Sequence, residues 1–211
     1  MWEFMRDSTP ERLRARFGDA DYDWDYRVNT TSGAVAWRDR LLGMFHSAYQ
    51  PSDPSDFGEM MDAVQRCPGF CFQDTTFIDL GSGKGRTLLM ASDYPFRRIV
   101  GVELLPSLHE IAKANLDQYR NASQKCFALE ACCADATSFQ FPNEPLLLYL
   151  FNPLPEPGLR RVVHNLEESL RSNRRSVFIL YYNPLLDYVL SETQELSKIA
   201  SASRYSLWRS R

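Results

Sequence analysis

An α/β fold with a doubly wound, mostly parallel sheet is the class these 211 residues predict. Three observations carry it. From residue 75 onwards, short and fully apolar runs alternate with amphipathic stretches, the pattern of strands buried on both faces by crossover helices. The first run ends in a glycine-rich turn, Gly81-Ser82-Gly83-Lys84-Gly85, that leads into a helix. The second run ends in an acid, Glu103, twenty-two positions after Gly81.

Each element follows from local pattern. Residues 1–70 form an N-terminal extension that reads as a helical lid, and residues 71–211 form the α/β domain. The extension holds Asp21-Tyr22-Asp23-Trp24-Asp25-Tyr26, a turn-rich Asn29-Thr30-Thr31-Ser32-Gly33, then Tyr49-Gln50-Pro51 and Pro54. Phe57, Met60, Met61 and Val64 recur at helical spacing, and that helix should stop by Pro68-Gly69. Strands are expected at 75–80, 98–103, 127–132, 146–151 and 177–182. Helices fill the gaps from Arg86 to about residue 93, along Leu108, Ile111, Ala112, Leu116 and Tyr119, and along Leu159, Val162, Val163, Leu166 and Leu170. Ser107 and Glu110 match a capping box for the second of these helices. Two last runs, 196–200 and 204–208, are joined by a link too short for a parallel crossover, so they form an antiparallel hairpin at a sheet edge. The sum is a Rossmann-like, seven-stranded sheet.

Composition bounds the function. Hydrophobic residues make up 44% and charged residues 24%, enough to bury a core, and the net charge is −3. No apolar run approaches the ~20 residues of a membrane helix. The first residues, MWEFMRDSTPERLRARF, lack a signal-peptide layout. Five cysteines without regular spacing argue against a disulfide framework, so a cytoplasmic location is expected. Arg160-Arg161 and Arg174-Arg175 are the densest basic pairs and read as solvated, so nucleic acid is not an expected partner. Cys67, Cys71, Cys132 and Cys133 do not have zinc-ligand spacing and are expected to pack as apolar residues.

The chemistry sits at the carboxyl ends of the strands, where such sheets bind ligands. Glycines at G-x-G-x-G allow a tight turn and close approach of a ligand to backbone. Glu103 can accept two hydrogen bonds from a ribose diol. A phosphate-binding loop needs G-x-x-x-x-G-K-[ST]; here Gly83-Lys84 is followed by Gly85, and Ile78 stands where the first glycine belongs. The dinucleotide fingerprint G-x-G-x-x-G also fails, because the third glycine comes one residue early.

FIDLGSGKGRTLLMAS followed by IVGVELLPSLHEIAKANL resembles the first two motifs of class I S-adenosylmethionine-dependent methyltransferases. CCADATSF and LLLYLFNPLPE resemble the third and fourth. Within the class the chain is similar to a small group with Asn-Pro-Phe after strand four and Tyr-Gln-Pro in the extension; Leu154 departs from it, standing where that group has an aromatic residue. The resemblance covers roughly residues 20–210. It implies strand order 3-2-1-4-5-7-6 and S-adenosyl-L-methionine as cofactor. It places Gly81, Ser82, Gly83 and Gly85 at the methionine part, Glu103 at the ribose and Asp135-Ala136 at the adenine amino edge, and it counts Asp79 and Leu104 among the cofactor-binding residues. Asn152 would be catalytic, its amide accepting a hydrogen bond from the target nitrogen at the acceptor mouth. The activity implied is methyl transfer, more to nitrogen than oxygen, on a protein or amine acceptor. Methyl transfer is an in-line displacement governed by positioning, so it does not require a strong base.

Several residues keep two readings. Lys84 and Arg86 flank a helix N-terminus, which disfavours cations; either an anionic ligand offsets them or they extend into water. Asp135 either meets adenine or forms a turn. Asn183-Pro184 repeats the Asn152-Pro153 pattern, so Asn-Pro is also plain punctuation. Tyr22, Trp24, Tyr26 and Tyr49 either cover the cofactor or close the core. His46, His109 and His164 read as surface or helix-face residues. Two rival functions remain: a methyltransferase-like module that binds without turnover, and a nicotinamide-dependent oxidoreductase, for which no Tyr-x-x-x-Lys occurs.

Overall fold

The computed structural model describes residues 20–31 and 51–211; Ser32, Gly33, His46, Tyr49 and Gln50 lie outside them. Its sheet has seven strands: β1 (Thr76–Leu80), β2 (Arg98–Glu103), β3 (Leu129–Cys133), β4 (Leu146–Leu150), β5 (Val177–Tyr182), β6 (Leu196–Ser201) and β7 (Tyr205–Ser210). Their order is β3-β2-β1-β4-β5-β7-β6, as expected. β1 to β5 are parallel, and β7 pairs antiparallel with both β5 and β6. β1, β4 and β5 are buried along their whole length; β4 and β5 are accordingly apolar throughout, whereas β1 also buries Thr76 and Asp79. β3 departs from that pattern. It lies at the sheet edge, is only half-buried, and starts two residues later than expected because Phe127 is exposed.

The described helices cover both faces. α1 (Ala20–Tyr26), α2 (Pro54–Gln65) and α3 (Arg86–Ala91) lie on one; the apolar residues Tyr22, Phe57, Met60, Met61, Leu88 and Leu89 share a core there with Phe77 and Tyr149 of the sheet. The other face is packed by α5 (Glu156–Ser172) and α6 (Asp187–Ser191), through Leu159, Val162, Val163, Leu166, Leu170, Val189 and Leu190. α2 starts where the chemistry dictates: Asp53 caps Ser55 N and Asp56 N, and Pro54 takes the first position.

α4 (Pro106–Gln118) corrects an expectation. Ser107 lies inside the helix; Leu105 is the cap residue and Pro106 the first helical residue, so the capping box does not form. Proline presets the first turn, and the Glu103 carboxylate takes the Leu105 N–H at 2.8 Å. Asn115, a polar residue, is buried in the helix face otherwise formed by Leu108 and Ala112. The cysteines are also corrected: Cys71 and Cys133 are exposed, Cys67 and Cys132 half-buried, and only Cys126 is buried. No cluster of three or more metal-ligating side chains occurs among the described residues, and none of their helices is long and apolar enough to cross a membrane.

Candidate functional site

The loop after β1 is folded back on β2. Gly81 N–H and Ser82 N–H both donate to Val102 O, at 2.8 and 3.1 Å, and Gly85 N–H donates to Ser82 O at 2.8 Å. Gly81, Gly83 and Gly85 have φ of 86°, 54° and 83°, a region that side chains disfavour. Space is equally limiting at Gly81, where an added Cβ would lie 2.6 Å from Pro153 Cβ. The loops after β1 and β4 therefore touch at the strand-order reversal. Gly101, which the sequence reading did not single out, is as demanding: a Cβ there would lie 2.5 Å from Leu88 Cδ1 and 2.7 Å from Ser82 Oγ.

Glu103 turns towards this hairpin. One carboxylate oxygen accepts from Gly83 N–H and the other from Leu105 N–H, both at 2.8 Å. Glu103 is itself buried, at 7% exposure. Beside it, Leu104 is 37% exposed, an apolar side chain facing outward from a strand end. Ala134 N–H bonds Glu103 O at 2.9 Å, which sets Asp135-Ala136 beside the end of β2. Asp135 Oδ1 accepts from Thr137 N–H at 2.8 Å and opens a single 3-10 turn at Ala136–Ser138, so the turn engages one oxygen of its carboxylate and does not by itself decide between the two readings.

Beneath the loop lies Asp79, fully buried. Burial, and then the nearby Glu103 charge, push its carboxyl up to about 8, while a hydrogen bond with Thr87 acts in the opposite direction. Ser52 joins the same interior: its hydroxyl lies 2.8 Å from Tyr149 Oη and 3.4 Å from Thr87 Oγ1. Ser82 Oγ is buried without a hydrogen-bond partner among the described residues. An orphaned hydroxyl at the edge of a bare backbone cradle fits a polar ligand.

The reading of Lys84 and Arg86 as extending into water does not hold, since both are buried. Lys84 Nζ donates to Asn29 Oδ1 at 3.0 Å and to Thr31 O at 2.7 Å, and burial lowers its pKa. Arg86 Nε donates to Thr30 Oγ1 at 2.9 Å, and its guanidinium lies 4.4 Å from the centre of the Tyr22 ring. These partners lie more than fifty positions away in the chain, which no local pattern reveals. Of the aromatic residues in the extension, Tyr22 is core, Tyr26 packs on Tyr119 at 5.4 Å, and Trp24 is 85% exposed.

Asn152, two residues past the end of β4, lies in the left-handed region with φ of 45°. Its Nδ2 donates to Asn183 O at 2.8 Å, and its Oδ1 accepts from Tyr181 Oη at 2.8 Å. Asn183, also left-handed at 46°, is therefore more than punctuation: it fixes the neighbouring amide. Leu154 is buried; its Cβ lies where a Cβ on Gly158 would come within 3.2 Å. His164 is on the helix surface beside Glu167 and Glu168, as expected. His109 is not a surface residue: its side chain is mostly buried, and Nδ1 has no hydrogen-bond partner among the described residues.

No protein-family model and no curated protein matches the sequence. Solved structures do match. The chain is similar to the 23S rRNA methyltransferase ErmE, with 12% identity over 76% of this chain and 68% of that one, and a TM-score of 0.51. It is similar to a ribosomal protein L11 methylase from Lactobacillus delbrueckii subsp. bulgaricus, with 12% identity over 80% and 82% of the chains and a TM-score of 0.51. A mutant of MtNAS, in complex with S-adenosylmethionine, matches at 16% identity over 74% of this chain and 62% of that one, with a TM-score of 0.54. The fold is that of class I methyltransferases.

Proposed function

We propose that a chain with this fold and this loop is an S-adenosylmethionine-dependent methyltransferase acting on a nitrogen of a protein or amine acceptor. The observation that carries the cofactor is the Glu103 carboxylate, held against the glycine hairpin at Gly83 N–H beside the orphaned Ser82 hydroxyl. When bound, S-adenosylmethionine supplies a methyl group carried on a sulfonium. The residues around it would divide the work. Gly81, Ser82, Gly83 and Gly85 hold the amino-acid moiety on bare backbone, and Asp79 supports the loop from below. Glu103 grips the ribose hydroxyls, Leu104 offers an apolar surface to the base, and Asp135-Ala136 meets the adenine edge.

At the acceptor mouth Asn152 presents an amide already tethered on both sides, and a rigid acceptor is what orients an N–H donor for in-line attack. A carboxamide takes up no proton, so the nitrogen must arrive with its lone pair available. The names of the similar structures span rRNA and a ribosomal protein, so fold likeness does not choose the acceptor.

Isothermal titration tests the cofactor. S-adenosylmethionine should bind and NAD should not; the reverse sinks the reading. Glu103→Ala should weaken binding by about 2–4 kcal/mol, the loss of one to two charge-assisted hydrogen bonds. Incubation of the protein and cell extract with labelled cofactor, followed by mass spectrometry, tests transfer. Binding without any S-adenosylhomocysteine formed would favour a non-catalytic module.

A further inference from the structure

The N-terminal segment and the cofactor cradle meet at one buried amide. Asn115, on α4, is 1% exposed. Its Nδ2 donates to Asn29 O at 3.0 Å and to Lys84 O at 2.9 Å, and its Oδ1 accepts from Asn29 N–H at 2.8 Å. Asn29 belongs to the segment after α1; Lys84 is the hairpin residue between Gly83 and Gly85. One side chain thus hydrogen-bonds the backbone of both. The hairpin answers through its own side chains, since Lys84 donates to Asn29 and Thr31 and Arg86 donates to Thr30. Asp23 completes the seat by accepting from Thr30 N–H and Thr31 N–H, each at 2.8 Å.

We infer that the segment 22–31 is a strap whose seating is thermodynamically coupled to occupancy of the glycine cradle, with Asn115 the positioning residue that joins them. Unseating the strap takes two hydrogen bonds from a buried amide, two from Lys84 and one from Arg86, and hydrogen bonds lost by buried polar groups are costly. That disturbance falls on Lys84, whose neighbour Gly83 is held by Glu103 and whose neighbour Gly85 caps α3. A ligand that holds Gly83 and Gly85 in place favours the seated strap, and by reciprocity the seated strap favours the ligand to the same extent. The inference rests on the cofactor reading above.

The test uses S-adenosylhomocysteine as probe, with two readouts on the full chain. Calorimetry gives its Kd. Trypsin cleavage after Arg27, an exposed residue at the end of α1, reports strap release. In the native protein saturating probe should slow that cleavage several-fold. Asn115→Leu should weaken the probe about tenfold and abolish the protection, within the usual range of coupling between sites. Thr30→Val, which removes the Arg86 acceptor from the strap side without touching α4, should weaken it about threefold; it decides the matter if Asn115→Leu fails to fold. An unchanged Kd in the variants, or native cleavage indifferent to the probe, overturns the coupling while leaving the cofactor reading intact. Failure of the native protein to bind the probe at all overturns the cofactor reading, and the coupling with it.

Discussion

Among the described residues, Asp79 carries a pH signature of its own. Its buried carboxyl, pushed up to about 8 by desolvation and then by Glu103, holds a proton that the unfolded chain, near 3.8, has released. The folded state therefore binds more protons between those values, and stability falls as pH rises from about 4 through about 8. The contribution is complete below the lower value and lost above the upper one. Asp79→Asn cannot titrate, so its urea midpoint should decline less than the native one between pH 6 and pH 9. Parallel decline of the two would show that Asp79 is ionised in the native fold. Asn152 supports a second prediction. An alanine at its φ of 45° is strained, by about 1–3 kcal/mol, whereas glycine is not. Asn152→Gly should therefore retain stability while losing the tethered amide, and Asn152→Ala should lose both; equal unfolding midpoints would refute the strain. Glu103 was legible because a strand end and a glycine turn announced it. The acceptors of Lys84 and Arg86 were not legible, because Asn29, Thr30 and Thr31 are remote in sequence.

Among the elements, the buried strands were the most legible, because an apolar run covered on both faces has no polar period to confuse. β2 and β5 fall on the expected residues, and β3, an exposed edge, does not. The start of α4 was misread for a different reason. A serine and a glutamate at the right spacing imply a cap only if the backbone enters there, and Pro106 at the first helical position sets the entry two residues earlier, with Leu105 as the cap. The packing of α3 on β2 was invisible in the pattern, since Gly101 looks like any strand residue until Leu88 and Ser82 are seen against it. Gly101→Ala puts a methyl group within 2.5 Å of Leu88 Cδ1 and 2.9 Å of Ser82 Cβ. Overpacking of this kind should destabilise the fold by about 1–3 kcal/mol, read in a urea titration. Because Ser82 must move, S-adenosylhomocysteine affinity should fall as well; an unaltered Kd would separate the packing of α3 from the cradle.

The arrangement of the whole molecule ties the loops to global stability. The cradle is assembled from the ends of β1, β2 and β3 and abuts the loop after β4 at Pro153, and all four strands belong to one sheet with a core on each face. The topology was legible because alternating strands and helices admit few arrangements, and the resemblance supplied the order; the joints between remote segments, Asn115 above all, were not, because one buried amide has no sequence period. A ligand that bridges those strand ends binds only the folded chain and stabilises it by mass action, by about 2.7 kcal/mol at a hundredfold excess over Kd. For a domain of this size that corresponds to roughly 5–10 °C in Tm. Glu103→Ala, losing about 2–4 kcal/mol of binding, leaves the same concentration at or below about three times its Kd. The shift should then shrink to roughly 3 °C or less. NAD at equal concentration should leave both melting curves in place. A full shift in the variant would mean that the ligand holds the fold together through some other part of the sheet rim than the acid at the end of β2.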